Sequence, residues 1–485
     1  MTAKHFDRGR RRSKTAFYTA LLSALLVAFL QPLFAAVLPA IHLQPQLLGQ
    51  TNSVTRVVVR HSRGLSGINL TCSLLGCQVV RGIGDPGGQL FVVQSSGLLS
   101  SALFLAQLTA ADGVLNAEID QTVNTPTGPM APMDGWPSYA NDRTPIDYYG
   151  ATVWEGYVLQ TPNQIVRTSV TQSAFGTTGA GVTVAMIDTG IDPNNSVLAP
   201  HLVYGYDFTR NSDGGSEMGD LPQVVPSVDP TSPQPAQLNQ STAGVIDQST
   251  AGVIDQTKYS AFGHGTMTAG IVHLVAPNAS LMPLKAFGAN GTGYESDVLR
   301  AIYYAVNHQA KVLSMSFEFA SPSVELATAI TYATGNNVIC VGSAGNSGSM
   351  TIVYPSGLPN VIDVASTSNS NTPSSFSNYG TPPVWISAPG EAVMTTYPYQ
   401  TYAVGWGTSF STPFVAGTVA MMASLAPHNS NLLNQTTAAQ ALSHAQPIPQ
   451  TQYGFGVLDT YQAVQAWQAF LSLNGGIPSL GSPIP

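Results

Sequence analysis

Charged side chains are scarce in this sequence: they make up 9% of its 485 residues, against 44% hydrophobic residues, 46 glycines and 34 prolines. A chain with so little charge and so much apolar and turn-forming sequence is not of the disordered, highly charged kind, and it reads as a loop-rich globular protein. Basic residues are scarcer still beyond the N-terminus. Lys4, Arg8, Arg10, Arg11, Arg12 and Lys14 lie within residues 1–36 against one acid, Asp7; without them 11 basic residues face 24 acidic ones, a net charge of −13. Such a field repels phosphate backbones, so no nucleic-acid partner is expected. Cysteine is nearly absent. Three residues cannot build a disulfide framework: Cys72 and Cys77 bracket a four-residue loop and can pair after export, whereas Cys340, inside an apolar strand, reads as a buried free thiol. Metal-ligand spacing is missing, so no metal site is assigned. Long apolar runs are missing too, with one exception. Ala16 to Leu30 follows the basic run and has the form of an export signal, with Ala35 and Ala36 as cleavage positions. Residues 1–36 are read as a signal peptide or, if uncut, as a membrane anchor through residues 15–41.

What the sequence does contain is three short blocks with chemical character. Val182 to Ile187 is an apolar, β-branched run of strand length that ends in Asp188-Thr189-Gly190, which puts Asp188 at the C-terminal edge of a parallel strand, where open α/β sheets form their crevices. His264 lies between Gly263 and Gly265, ahead of Thr266 to Val272, which reads as a helix start. Gly407-Thr408-Ser409-Phe410-Ser411-Thr412-Pro413 leads into an apolar helix from Phe410 to Leu425, with Thr408 or Ser409 as its cap and Pro413 in its first turn. A serine there sits beside backbone N–H groups and the positive end of the helix dipole, which favours developing negative charge. A fourth block, Val338 to Val341 followed by Gly342-Ser343-Ala344-Gly345-Asn346, ends another short strand with an asparagine in a glycine-rich turn.

With aspartate, histidine and serine in the chain order known from subtilisin, the chain resembles the subtilisin-like serine proteases, or subtilases, over roughly residues 150–468. The resemblance implies an α/β, three-layer fold with a mainly parallel central sheet, preceded by a small α/β propeptide-like domain. It implies a secreted or cell-envelope serine endopeptidase, made as a zymogen, with Asp188, His264 and Ser409 as catalytic triad and Asn346 donating to the oxyanion. Ser316, Phe317, Glu318, Ala344 and Gly345 then form the substrate-binding walls, where an extended peptide adds as a strand to an exposed edge. Partners are protein or peptide substrates and the chain's own propeptide in the cleft. No cofactor is expected for catalysis; structural calcium is common among such proteins, yet no defined calcium loop stands out here. Two other readings stay open: an inactive peptide-binding pseudoprotease, and an acid-acting sedolisin, which would carry a glutamate in the base role.

The implied domains are residues 54–123 as the propeptide-like unit, 124–150 as a linker with a processing site, 151–468 as the catalytic domain and 469–485 as a flexible tail. Within 54–123, strands are expected at Arg56–Arg60, Gln89–Val93 and Val114–Asp120 and a helix at Leu99–Leu108. Several residues depart from the family pattern. Met267 and Phe414 stand where histidine is common, and Glu318 where glycine is common; Glu318 either points away or pairs with a cation, or else puts an anion in a specificity pocket. The Asp188–His264 connection also carries a tandem copy of STAGVIDQ, residues 241–248 and 249–256, too short for a solenoid and read as a duplicated surface loop.

Overall fold

A computed structural model describes residues 54–124, 137–221, 236–237, 243–245, 259–380, 383–427 and 430–474. Residues 1–53, residues 125–136 of the 124–150 linker, the second STAGVIDQ copy and residues 475–485 lie outside the described residues.

Period-2 alternation organises the N-terminal unit. In β1 (Arg56–His61), Val57 and Val59 face a small core with Ile68, Phe91, Val93, Phe104 and Leu108, while Val58 faces the other way, into a core shared with the following domain. The remaining elements are α1 (Gly64–Leu75), β2 (Cys77–Gly82), β3 (Leu90–Ser95), α2 (Ser101–Ala110) and β4 (Val114–Ile119). The four strands form an antiparallel sheet in the order β2-β3-β1-β4. The disulfide Cys72–Cys77 ties α1 to β2 across the turn at Gly76, whose φ of 69° closes the helix. A short β5 (Thr122–Asn124) leaves this unit and pairs elsewhere.

The second unit begins before residue 151. Within the expected linker, Ser138–Asn141 forms a 3-10 turn, and β6 (Pro145–Tyr148) pairs with β7 (Ala151–Trp154) as a hairpin, because Tyr148 and Val153 are buried in the main core. Helices α3 (Glu155–Leu159), α4 (Thr161–Ile165) and α5 (Thr168–Phe175) follow. β8 (Thr183–Asp188) is apolar on both faces, the signature of a central parallel strand: Val184 and Met186 enter one core, Ala185 and Ile187 the other. Around it, β9 (Tyr206–Asp207), β10 (Ser212–Asp213), β13 (Ser280–Lys285), β15 (Val312–Met315), β16 (Ile339–Ser343), β17 (Ile362–Thr367) and β18 (Ile386–Pro389) build one sheet in the order β10-β9-β13-β8-β15-β16-β17-β18. All of its pairings are parallel except β10 with β9.

Helices cover both faces, giving three layers. On one side lie α6 (His264–Val275) and α9 (Thr408–Leu425), packed on each other in the larger core; on the other lie α7 (Glu295–Asn307) and α8 (Val324–Gly335). A third sheet joins β11 (Ala236–Gln237), β12 (Ala243–Val245), β19 (Val393–Tyr397) and β20 (Thr401–Gly405), so the first STAGVIDQ copy supplies an inner strand between β11 and β20. Cys340 is a fully buried free thiol in β16, and burial pushes its pKa up, away from reactivity. The chain closes with α10 (Gln435–Leu442) and α11 (Thr460–Leu473). α11 passes the expected boundary at 468, because Trp467 and Leu471 pack into the core. No helix among the described residues is long and apolar enough to cross a membrane.

Candidate active site

Three parallel strands and two helix starts converge at one end of the large sheet. Asp188 is the last residue of β8, as its apolar run predicts, and is buried. His264 opens α6, two residues earlier than the sequence suggests, since Gly263 with φ 88° makes the entry. A Cβ at Gly265 would run into the Gly190 carbonyl, so the histidine helix approaches the aspartate turn this closely only with glycine at 265.

His264 Nδ1 lies 2.7 Å from Asp188 Oδ1. The same carboxylate accepts from the Thr189 N–H at 2.7 Å and, through Oδ2, from the Thr268 hydroxyl at 3.1 Å. With both oxygens held, the imidazole keeps one orientation, with Nδ1 toward the acid and Nε2 free for chemistry. Burial disfavours the imidazolium, but the charge and hydrogen bond of Asp188, with Glu217 behind, outweigh it and raise His264 above the ordinary histidine value.

Glu217 had no signal in the sequence. It is fully buried and accepts hydrogen bonds from the Thr189 hydroxyl (2.8 Å), the Gly263 N–H (2.9 Å) and, at very short range, the Thr266 hydroxyl. The carboxylate thus ties the turn after Asp188 to the turn before His264. Lys285, also fully buried, donates to the Thr189 carbonyl at 2.7 Å and to Asp220 at 2.7 Å, bracing the same turn from β13.

Ser409 is the second residue of α9, with its backbone N–H in the positive first turn. Neither Thr408 nor Ser409 caps the helix as expected: Gly407 is the N-cap position, without a side-chain cap bond. Thr408 is instead bound to the neighbouring loop, its N–H and hydroxyl both donating to Asn346 Oδ1 at 2.9 Å. That fixes the amide of Asn346 and leaves its NH2 as the outward donor end. Pro413 lies in the second turn rather than the first. Having no N–H, it frees the Ser409 carbonyl, and the Ser316 hydroxyl takes up that acceptor at 3.0 Å. The Ser409 hydroxyl makes a long contact of 3.5 Å to the Ser316 carbonyl. No hydrogen bond joins it to His264 among the described residues, although the imidazole lies 5.9 Å from the neighbouring Phe410 ring. Hydrogen bonds to a nucleophile are often loose before substrate is bound.

The remaining predicted residues gather around Ser409. Phe317 is fully buried beside Phe287, at 5.1 Å between ring centroids, so it supports the wall from the core side. Ala344 and Gly345 lead into Asn346, with the Gly345 N–H donating to Thr408 Oγ1 at 3.2 Å. Glu318 pairs with no cation among the described residues; its carboxylate lies against Gly345. β5 pairs antiparallel with β14 (Thr292–Tyr294), with Val123 opposite Gly293, and Gly293 also bridges to Phe287, the partner of Phe317.

An acid-oriented histidine beside a helix-terminal serine and an outward asparagine amide is the constellation of acyl transfer. Comparison with known proteins agrees. The subtilase family model matches residues 179–456. The chain is 31% identical to thermitase from Thermoactinomyces vulgaris over 297 residues, covering 59% of this chain and 90% of that protein. It is 38% identical to subtilisin Savinase from Lederbergia lenta over 179 residues, 35% of this chain and 66% of that protein. A solved structure, fervidolysin from Fervidobacterium pennivorans, described as a keratinolytic enzyme related to subtilisin, shares the fold with a TM-score of 0.62 at 20% identity, over 85% of this chain and 61% of that one. The chain belongs to the subtilase family, and it is a serine-type endopeptidase.

Proposed function

We propose that this chain is exported as a zymogen and matures into an endopeptidase that cleaves peptide bonds through an acyl-enzyme, with Ser409 as nucleophile, His264 as general base and then general acid, and Asp188 orienting the imidazole. The observation that carries this is the 2.7 Å Asp188–His264 bond set beside Ser409 at the start of α9. In the first step the Ser409 oxygen adds to the carbonyl carbon while its proton passes to His264 Nε2. The tetrahedral oxyanion is met by the Asn346 NH2 and the Ser409 backbone N–H. Collapse expels the amine, which takes the proton from His264, and water then repeats the sequence to release the acid.

The zymogen reading draws on the N-terminal unit. Its strand β4 and the residues after it present two acids to the N-termini of the helices flanking the cleft. Asp120 accepts from the Ser296 N–H and hydroxyl, each at 2.9 Å, at the start of α7. Glu118 accepts from the Ser323 hydroxyl (2.6 Å) and from the Val324 and Glu325 N–H groups (3.0 Å each) at the start of α8. Arg60 adds an ion pair to the buried Glu325. From this platform β5 runs along β14 as a peptide substrate would, which supports a propeptide whose C-terminal end leaves along the cleft. Export rests on the basic and apolar leader.

Fluorophosphonate labelling of the purified protein, with N-terminal sequencing of its mature form, tests the proposal. A competent enzyme labels at Ser409 and begins between residues 124 and 150. Ser409→Ala then neither labels nor cleaves and accumulates as precursor. Labelling of the Ser409→Ala protein would dismiss Ser409 as the nucleophile.

A further inference from the structure

The segment after β15 alternates sides. Phe317 and Phe319 are buried in the core beside Phe287. Ser316 and Glu318 therefore take the opposite side, where Ser316 holds the Ser409 carbonyl. Phe319 is pinned in turn by two backbone bonds to Tyr354, at 2.7 and 3.0 Å, so Glu318 cannot swing out with a loose loop. Its carboxylate fills the room that a side chain at position 345 would need: a Cβ on Gly345 would stand 2.5 Å from Glu318 Oε2. Gly345 is bonded to Thr408 and is followed by Asn346. Glu318 Oε2 thus lies between the two segments that hold the start of α9, one on the Ser409 carbonyl and one on Thr408.

Glu318 Oε2 is buried and has no hydrogen-bond partner. Asn378 Nδ2, which stands at the same 2.5 Å from that Cβ position, already serves the Ala344 carbonyl at 2.9 Å and the Thr351 carbonyl at 3.4 Å. No lysine, arginine or histidine forms an ion pair with Glu318 among the described residues. Glu318 is half-buried as a residue, but leaving one of its carboxylate oxygens buried without donor or counter-charge is costly, and such groups cluster at functional sites.

We propose that Glu318 is the specificity determinant of the cleft, and that the enzyme selects peptides with lysine or arginine immediately before the scissile bond, whose cationic end pairs with the Glu318 carboxylate. This rests on the endopeptidase reading with Ser409 as nucleophile. Burial raises Glu318 to about 7, and no neighbouring charge contributes to that shift. In the free enzyme the carboxylate gains its charge as pH rises through neutrality. Attraction for a cationic side chain grows over the same interval, whereas an apolar side chain gains nothing from it.

The test uses enzyme from the full-length chain and two peptide series, identical except for Lys or Arg against Phe or Leu before the cleaved bond. His264 titrates equally in both, so the ratio of their kcat/KM values isolates Glu318. The expected ratio favours Lys and Arg and increases from pH 6 to pH 8. In Glu318→Gln, of the same shape, it falls roughly 30-fold and loses its pH dependence; Glu318→Gly repeats the loss. Because the pair is shielded, the wild-type preference survives most of a rise in salt. A ratio that favours Phe and is flat with pH, or one that Glu318→Gln leaves unchanged, overturns the inference while fluorophosphonate labelling persists. Absence of labelling would instead remove the nucleophile reading, and the inference with it.

Discussion

The hydroxyl of Thr189 donates a 2.8 Å hydrogen bond to Glu217 and accepts one of 2.9 Å from the Gly265 N–H, so a single side chain bridges the turn after Asp188, the start of the histidine helix and a buried acid. The distance between Asp188 and His264 is thereby set by groups that touch neither reacting atom. Glutamine at position 217 has only one oxygen for the three donors that Glu217 satisfies, and its NH2 would face another donor. Glu217→Gln should cost about 2 kcal/mol of stability, seen, for a catalytic unit of this size, as a fall of roughly 3 °C in the thermal midpoint. It should also lower kcat more than it raises KM, because the loss is in alignment of the base. An unchanged midpoint would mean that the turn is held without Glu217.

Why the sequence announced some of these parts and not others has a physical basis. Asp188, His264, Asn346 and Ser409 each stand where an apolar run meets glycine, and a change from packing pattern to turn chemistry is legible one residue at a time. Glu217 and Asp220 sit in a Gly- and Ser-rich loop with no period, so nothing local distinguishes a buried acid from an exposed one. Glu118 and Asp120 fall in the expected strand at Val114–Asp120 with nothing local to mark their partners; their donors are 205 and 176 residues away in sequence, at helix starts that only the folded chain brings near. Helix α1 was missed because its glycines and short polar residues blur a helical stripe. The exchange of Pro413 for the Ser316 hydroxyl at the Ser409 carbonyl required both the helix boundary and the neighbouring strand to be known.

Asn346 does two jobs that can be separated. Its oxygen anchors Thr408, and its NH2 is the donor available to an oxyanion. Asn346→Asp keeps the acceptor for Thr408 and removes the donor, so kcat should fall by roughly 100- to 1000-fold with a small change in KM. Thr408→Val, which removes the hydroxyl anchor and keeps the NH2, should act more weakly. Equal effects of the two would mean that Asn346 serves positioning alone.

His264 has to be neutral to accept the Ser409 proton, and Asp188 raises its pKa above the ordinary 6.5. The acid limb of kcat/KM should therefore lie above that value, with activity lost as pH falls. Asp188→Asn removes the charge, moves that limb downward, and lowers kcat by roughly 10,000-fold because the tautomer is no longer fixed. The same shift is a stability term: a raised histidine stabilises the fold below about pH 6.5, and that contribution fades as the pH climbs through the folded value. Wild-type and Asp188→Asn melting curves across pH 5 to 9 should converge at the alkaline end; a constant gap would assign the difference to packing.

Docking of the N-terminal unit buries an acid pair whose protons can be followed. Glu295 is the first residue of α7, fully buried, with both carboxylate oxygens unpartnered; burial first, and then the charge of Glu118, push its pKa well above the ordinary value. Glu118 is raised as well, by burial and by Glu325, despite its three donors. An acid raised by docking makes the docked form take up protons, so association is strongest at low pH and weakens as pH rises from the ordinary carboxylate range through the raised value. For one proton the change is at most about tenfold per pH unit. The N-terminal unit, once cut from the catalytic unit, should therefore mask activity strongly at pH 5.5 and release it faster at pH 8, read as the rate at which peptide hydrolysis appears after a pH jump. Glu295→Gln removes the ionisable group and keeps the volume, so the masked form should persist at pH 8 and the slope should flatten. Release that is slower at pH 8 than at pH 5.5, or a slope that survives in Glu295→Gln, would place the responsible protons on other groups.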